Sequence, residues 1–495
     1  MSNIIKGNSE ILNKARVFEE ESMKNIQVEQ KPSFHLSAPV GWINDPNGFS
    51  KFSGEYHLFY QYHPYDTKWG PMHWGHSKTK DFIKWEQLPV ALAPDKEYDL
   101  EGCFSGSAIE LEGKHVLMYT GVIDKIQEDG SHLIRQTQCI AIGDGIDYEK
   151  LECNPVITSY SLPEDSNLED FRDPKIWKDK DDFYAVVGSR HADGSGQILL
   201  YKSQDLHGWN LVNVLDRSEN KIGRMWECPD FFKLDGSDIM IISPQEVKAE
   251  GLKFHNGHNT VYLIGEYDKE NYKFNRYDYG VIDYGLDFYA PQTLEAEDGR
   301  RIMIGWMQSW ENNIVPGDFK WCGMMSIPRE LTVKDGHLIQ NPIREIKNYY
   351  KNTVKYENIS VNNSMELPNI SGRELDMSIE INGENCEEFT INIAKNEEYV
   401  TLITFDSRKN LISFDRSYSA KLGDSLHKRE MNVRNKNGNI KLRLIIDKYS
   451  IEIFVNDGEQ VMTSTYYTML DATDISFNAK GNATINIEKH DIVLT

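Results

Sequence analysis

The chain has 495 residues, with 54 Lys and Arg against 77 Asp and Glu, and its formal charge of −23 repels phosphate backbones and anionic membrane surfaces. Nucleic acid and membrane are therefore not expected partners. A hydrophobic content of 39% is that of a folded globular protein, and the length exceeds one ordinary core, so two domains are expected. The six cysteines include no C-x-x-C pair, and Met1 to Gly7 lacks the apolar stretch of an export signal. A reduced, cytoplasmic protein with free thiols is the expectation.

In chain order, residues 1–30 predict a helical extension. Ile11, Leu12, Ala15, Val17 and Phe18 follow a loosely amphipathic pattern before acidic Glu19 to Glu21, which suits a helix packed outside the main domain, or an oligomer contact. Over residues 31–348 one phrase recurs at roughly sixty-residue spacing. It is a polar or aromatic loop residue, a short strand, a turn rich in Gly, Asp and Lys, and a more apolar strand. The five copies start at Asp45-Pro46-Asn47-Gly48, Phe104-Ser105-Gly106-Ser107, Arg172-Asp173-Pro174, Glu227-Cys228-Pro229 and Phe288-Tyr289-Ala290-Pro291. Such an array predicts a five-bladed β-propeller.

Residues 349–367 drop the phrase and are rich in Asn, Lys and Glu, which predicts a connector. Residues 368–495 alternate polar and apolar side chains, as in Glu374 to Ile381 and Ile440 to Asp447, and Ser450 to Gly458 ends in a hairpin turn. That is the pattern of a β-sandwich. The fold class is all-β: a five-bladed β-propeller followed by a C-terminal β-sandwich.

The phase of the phrase points to chemistry. Asp45, Asp173 and Glu227 each precede the apolar strand of their unit by about twelve residues, so a radial fold delivers them to equivalent places at one end of its channel. Three converging carboxylates without a His or Cys cluster suit acid-base and nucleophilic work on an acetal better than metal binding. Asp-Pro alone is a common turn start, and Arg172-Asp173 alone could be a surface ion pair. His73 and His76 lack an evident third ligand, so no metal is expected, and no cofactor either. Cys228 beside Glu227 has no evident base and is expected to be a small packed side chain.

Trp42-Ile43-Asn44-Asp45-Pro46-Asn47-Gly48 resembles the β-fructofuranosidase signature of glycoside hydrolase family 32. Phe104 to Ala108, Arg172-Asp173-Pro174, Trp226 to Pro229, Asp287 to Thr293 and Pro328 to Leu331 resemble that family's further motifs, in the family's order. The resemblance implies a propeller and sandwich, and retaining hydrolysis of a β-D-fructofuranoside. It casts Asp45 as nucleophile, Glu227 as general acid/base and Asp173 as transition-state stabiliser. It also implies a saccharide-binding set of Asn44, Gln61, Trp69, Phe104, Ser105, Arg172 and Trp310. Arg172 is expected to keep Asp173 ionised.

A protein without an export signal meets sugars that transport has already brought inside, often phosphorylated. The segments Trp74-Gly75-His76 and Leu88 to Leu92 also resemble family members acting on a phosphorylated disaccharide. Unphosphorylated sucrose or short fructans are the alternative substrates, and fructosyl transfer or a purely fructan-binding role are the rival functions. Lys68, Arg190, His191 and Arg224 are the candidate cations for a phosphate.

Overall fold

The computed structural model describes residues 7–312, 314, 316–420 and 425–494. The reading of the first six residues as lacking an export signal lies outside them. Helix α1 (Glu10–Met23) begins where Ser9 accepts from the Leu12 N–H. It buries Leu12 and Ala15, and Arg16 donates to the Val90 carbonyl at 2.9 Å and pairs with Asp147 at 2.8 Å. The extension thus packs outside the first two blades, while Ile11 and Phe18 stay exposed.

The first blade is β1 (Gly41–Phe52), β2 (Glu55–His63), β3 (His73–Thr79) and β4 (Glu86–Leu92), and the second is β5 (Gly102–Leu111), β6 (Lys114–Ile126), β7 (His132–Gly143) and β8 (Tyr148–Lys150). The third is β9 (Ser166–Asp179), β10 (Asp182–His191), β11 (Gly196–Ser203) and β12 (Trp209–Arg217). The fourth is β13 (Trp226–Leu234), β14 (Ser237–Pro244), β15 (Val261–Asp268) and β16 (Lys273–Val281). The fifth contains β17 (Tyr289–Glu295) and β18 (Arg301–Trp306), then β20 (Arg329–Lys334) and β21 (His337–Pro342). Between them β19 (Trp321–Cys322) leaves to pair in parallel with β1.

That pairing, Gly41 with Trp321 and Trp42 with Cys322, ties the last blade to the first. The first strands of the blades touch in the order β1, β5, β9, β13, β17 and back to β1, so they form the inner ring. Second strands such as Ile239-Met240-Ile241-Ile242 are buried on both faces because blades stack face to face, which is why their apolar runs do not alternate. Ser53-Gly54, Glu112-Gly113, Asp235-Gly236 and Asp335-Gly336 turn with both φ values between 47° and 86°, the type I′ geometry that suits twisted hairpins.

The C-terminal domain has strands β22 (Tyr350–Val361), β23 (Ser364–Met365), β24 (Leu375–Lys395), β25 (Val400–Asp406) and β26 (Leu411–Tyr418). It continues with β27 (Lys428–Asn432), β28 (Asn439–Asp447), β29 (Ser450–Val455), β30 (Gln460–Thr465) and β31 (Asp474–Ile492). The long strands β24 and β31 pair along their lengths and belong to both layers of a sandwich. Residues 375–382 of β24 continue into β28, β29 and β30, whereas residues 388–393 continue into β25, β26 and β27. Register shifts near Asn382 to Glu388 mark the bend, and Ile379, Phe389, Ile391, Phe414, Leu444 and Ile485 fill the space between layers.

One boundary is corrected. The stretch 349–367 is not a connector: β22 runs antiparallel to β31 from Tyr350 opposite Ile492 to Val361 opposite Ala483. Its apolar residues Val354, Tyr356, Ile359 and Val361 do alternate, but a bulge after Tyr356 breaks their period. The outward residues of this edge strand are polar, which hid it as a strand.

The two domains share a buried ionic network. Asp447 accepts from the backbone N–H groups of Ser33, Phe34 and His35 and from His35 Nδ1 at 2.8 Å, and His35 Nε2 lies 3.2 Å from Glu452 Oε1. Glu452 Oε2 in turn meets Arg329 at 2.6 Å, and Arg329 meets Asp283 at 3.0 Å. Burial disfavours a charged imidazole, but the bonds and charges of Asp447 and Glu452 outweigh it and carry the His35 pKa up to about 9. A raised histidine pKa stabilises the fold fully below the ordinary value near 6.5 and loses that contribution as pH climbs through about 9. Urea melts should therefore show stability falling by up to roughly 3 kcal/mol across that window. His35→Gln should flatten that slope; an unchanged slope in the variant would show that His35 is not the titrating group.

Candidate active site

All five inner strands break register at the same point. The shifts fall between Ile43 and Pro46, Phe104 and Gly106, Arg172 and Lys175, Glu227 and Asp230, and Tyr289 and Gln292. A bulge inserts unpaired residues and re-aims side chains, and Pro174, Pro229 and Pro291 sit in these gaps, where no ladder N–H is needed. Asp173, Cys228 and Ala290 have φ of 65°, 48° and 51°, a region that non-glycine residues seldom occupy. The recurring phrase is thus the sequence of a bulge. Its repetition brings Asp45, Ser105, Asp173, Glu227 and Tyr289 together at one end of the channel.

Asp45 Oδ1 accepts from Asn44 Nδ2 at 3.0 Å, and Oδ2 accepts from Ser105 Oγ at 2.8 Å and from the Cys228 thiol at 3.6 Å. Asn44 is held by Trp42, whose indole N–H donates to Asn44 Oδ1 at 2.8 Å. Asp173 Oδ2 accepts the Cys228 N–H at 2.9 Å and the same thiol at 3.6 Å, while the Asp173 N–H donates to Thr120 Oγ1 at 3.0 Å. Glu227 Oε1 accepts from Arg172 Nε at 2.9 Å and also lies 2.9 Å from the Nη2 nitrogen, and Glu227 Oε2 accepts from the Tyr289 hydroxyl at 2.6 Å.

Burial raises the Asp45 pKa, as does the charge on Glu227, against the hydrogen bonds from Asn44, Ser105 and Cys228. Asp173 is pushed up to about 7 by burial and by the charges on Glu227 and Asp45, with the Arg172 charge opposing. The Arg172 charge thus favours ionised Asp173 in the expected direction, but not through a direct pair and not by enough to offset burial. The guanidinium does not pair with its neighbour Asp173 but spans Glu227 and Asp170, the latter at 2.8 Å. Asp173 sits in the bulge that follows Arg172, so the two side chains take different partners. The Cys228 thiol is raised well above its ordinary value by burial and by the Asp173 charge, so it keeps its proton and bridges two carboxylates as a neutral donor. Tyr289 likewise stays protonated, because burial and the Glu227 charge both raise it.

Around this cluster Trp310 stacks on Trp42 at 6.3 Å and meets the edge of Trp306 at 5.2 Å. Trp69 is 50% exposed and meets Phe104 edge to face, which gives the pocket an aromatic rim. Gln61 is buried and donates to the Cys103 carbonyl at 3.0 Å, so it supports the strand behind Phe104 and Ser105. Sequence reasoning did not single out Tyr289 or Thr120. Tyr289 nevertheless occupies in the fifth phrase the position of Glu227 in the fourth, directly before the bulge, and phase alone could have flagged it.

Of the four candidate cations, Arg190 is wired to the site, meeting at 2.7 Å the Asp170 carboxylate that also binds Arg172. His191 lies 2.9 Å from Asp193, Arg224 lies 3.2 Å from Glu246, and Lys68 is exposed. Among the described residues, no group of three or more His, Cys, Asp or Glu side chains is arranged to hold a metal ion.

Residues 35–342 match the family described as Glycosyl hydrolases family 32 N-terminal domain, and residues 345–493 match the Glycosyl hydrolases family 32 C terminal. The chain belongs to glycosyl hydrolase family 32. Among its family 32 relatives, a sucrose-6-phosphate hydrolase of Zymomonas mobilis is 37% identical over 448 residues, 88% of this chain and 85% of that protein. A raffinose invertase of Escherichia coli is 35% identical over 455 residues, 91% and 93% of the two chains. A Bombyx mori family 32 β-fructofuranosidase mutant solved in complex with sucrose superposes with a TM-score of 0.84 at 33% identity, covering 98% of each chain.

The raised Asp173 pKa carries a stability cost. From the ordinary carboxylate value of 3.8 up to about 7 the folded state holds a proton that the unfolded state has released, so this group's ionisation destabilises the fold increasingly as pH rises through that range. Asp173→Asn should accordingly melt at least as high as the wild type at pH 8, while losing most of its activity. A variant melting several degrees lower would show that the site tolerates this charge better than its burial implies.

Proposed function

We propose that this β-fructofuranosidase works by double displacement, with Asp45 as nucleophile, Glu227 as general acid/base and Asp173 as the group that stabilises the cationic transition state. The supporting observation is the asymmetry of partners. Among the described residues Asp45 is held only by neutral donors, Asn44, Ser105 and Cys228, which orient its charge without cancelling it. Glu227 is held by Arg172 and Tyr289, which fix both of its oxygens.

In the first step an Asp45 oxygen attacks the fructosyl C2 while Glu227 gives its proton to the departing oxygen, leaving a fructosyl ester. In the second, Glu227 takes a proton from water, which attacks C2 and frees Asp45. Positive charge spreads between C2 and the ring oxygen in both transition states, and Asp173, fixed by the Cys228 N–H, provides a negative field beside it. The indole rings of Trp42 and Trp310 supply apolar surface for the sugar, and Ser105, Asn44 and Arg172 supply polar contacts.

For the leaving group we favour glucose 6-phosphate, released from sucrose 6-phosphate in the cytoplasm, with unphosphorylated sucrose as a further substrate. Arg190 extends the Arg172 charge outward through Asp170 and offers a phosphate a cation inside a strongly negative protein. The relatives support both substrates, since one is a sucrose-6-phosphate hydrolase and the Bombyx mori β-fructofuranosidase mutant was solved in complex with sucrose.

Two experiments check this reading. Glu227→Gln should lose several orders of magnitude in kcat on sucrose but far less on a fructoside whose leaving group needs no proton. Equal losses would remove Glu227 from the acid role. Sucrose 6-phosphate should show a lower KM than sucrose at low ionic strength, with the gap narrowing in salt and in Arg190→Gln. Equal KM values for the two sugars would leave the mechanism standing and refute the phosphate preference.

A further inference from the structure

We propose that His258, clamped by Glu311, binds the leaving group in the pocket, and that the C-terminal domain holds this clamp in place through Arg416 and Arg429. The proposal rests on the reading of Glu227 as the acid, because the departing sugar must lie on the side of the group that protonates it.

His258 lies in the loop between β14 and β15, outside every motif that carries the family resemblance. Its ring meets Tyr289 edge to face at 5.8 Å, and the Tyr289 hydroxyl binds Glu227 Oε2. The imidazole therefore stands beside the acid, on the Tyr289 flank and opposite the Arg172 flank. Glu311 Oε1 accepts from both the backbone N–H of His258 at 2.8 Å and its Nδ1 at 2.6 Å, which fixes the side chain as well as the main chain. Residue 257 must be small for this: a Cβ on Gly257 would stand 2.9 Å from Glu311 Oε1.

With Nδ1 engaged, Nε2 is the nitrogen left for a ligand, and among the described residues no protein group accepts from it. Burial works against protonation of the ring, but the Glu311 bond and charge, with the charges on Glu227 and Glu246, raise the His258 pKa above its ordinary value. In the imidazolium form, which Glu311 favours, the free edge presents an N–H donor and positive charge at the rim. Hydroxyl and phosphate oxygens of a pyranosyl leaving group are the acceptors it fits.

Both halves of the clamp are anchored from the other domain. Glu311 sits in the turn Ser309 to Asn312, where the Ser309 hydroxyl donates to the Leu286 carbonyl at 3.1 Å and Asn312 Nδ2 donates to Asp287 Oδ1 at 2.5 Å. Asp287 Oδ2 then takes Arg416 Nη1 at 2.9 Å and the Thr465 N–H at 2.8 Å, and the Arg416 and Asp287 side chains are wholly buried. On the histidine side, Arg429 Nη2 donates to Asn256 Oδ1, two residues before His258. Arg416 and Arg429 are positioning residues, since they act only through these contacts.

The test compares sucrose with methyl β-D-fructofuranoside, which shares the fructosyl unit and lacks the pyranose. For His258→Ala, kcat/KM should fall about tenfold or more further on sucrose than on the methyl fructoside, mainly through KM, the size expected for loss of one charged hydrogen bond. His258→Gln, which retains a donor at a similar reach, should recover part of the difference. Arg429→Gln should show the same selectivity in weaker form, and it avoids emptying the fully buried Arg416 position. Equal losses on the two substrates, or no loss, would overturn the proposal. If Glu227→Gln fails to discriminate activated from ordinary fructosides, the mechanism itself is wrong; if it discriminates and His258→Ala is not selective, only the clamp fails.

Discussion

Three carboxylates close enough to feel one another's charge, one buried and two half-buried, with one guanidinium bound directly to one of them, are the constraint on which the rest of this structure depends. Arg172 touches Glu227 and reaches Asp173 only through space, so both Asp45 and Asp173 bind protons more readily than free carboxylates do. Such a cluster persists only if neutral donors orient its oxygens. Cys228 does this for two carboxylates at once, through a thiol that burial and neighbouring charge keep protonated. A stronger donor there would dissipate the charge that the reaction uses.

The propeller makes this arrangement affordable. A closed ring of five inner strands, joined by the pairing of β19 with β1, puts the blade edges on the outside, and each inner strand can carry a bulge without unravelling its sheet. The positive φ values at Asp173, Cys228 and Ala290 are strain held by the ladders on either side. The C-terminal domain adds rigidity from outside. Its Glu452 and Asp447 clasp His35 and Arg329, and its Arg416 reaches Asp287 two residues before Tyr289.

Much of this was legible in the sequence, for physical reasons. The second strands of the blades are apolar on both faces, so their spacing announced the propeller, and the in-phase Asp45, Asp173 and Glu227 announced its pocket. What stayed hidden depends on local geometry that composition does not encode. Strand β22 is a polar edge strand with a bulge, and its period is broken at the point where it would have shown. The partner of Arg172 depends on how the chain turns at the bulge, so adjacency to Asp173 misled. His258 comes from a loop without a motif, and only its contact with Glu311, itself fixed from the other domain, gives it a place.

The account turns on Asp45 forming a bond to the fructosyl C2. The direct test is to quench turnover of an activated β-fructofuranoside by the Glu227→Gln variant in acid and map the labelled peptide by mass spectrometry. Because the activated leaving group needs no acid while loss of Glu227 removes the base of the second step, the ester should accumulate, and one fructosyl residue should be found on the peptide carrying Asp45. A fructosyl group on Asp173, or inverted fructose released with no labelled peptide at any time, would contradict the account.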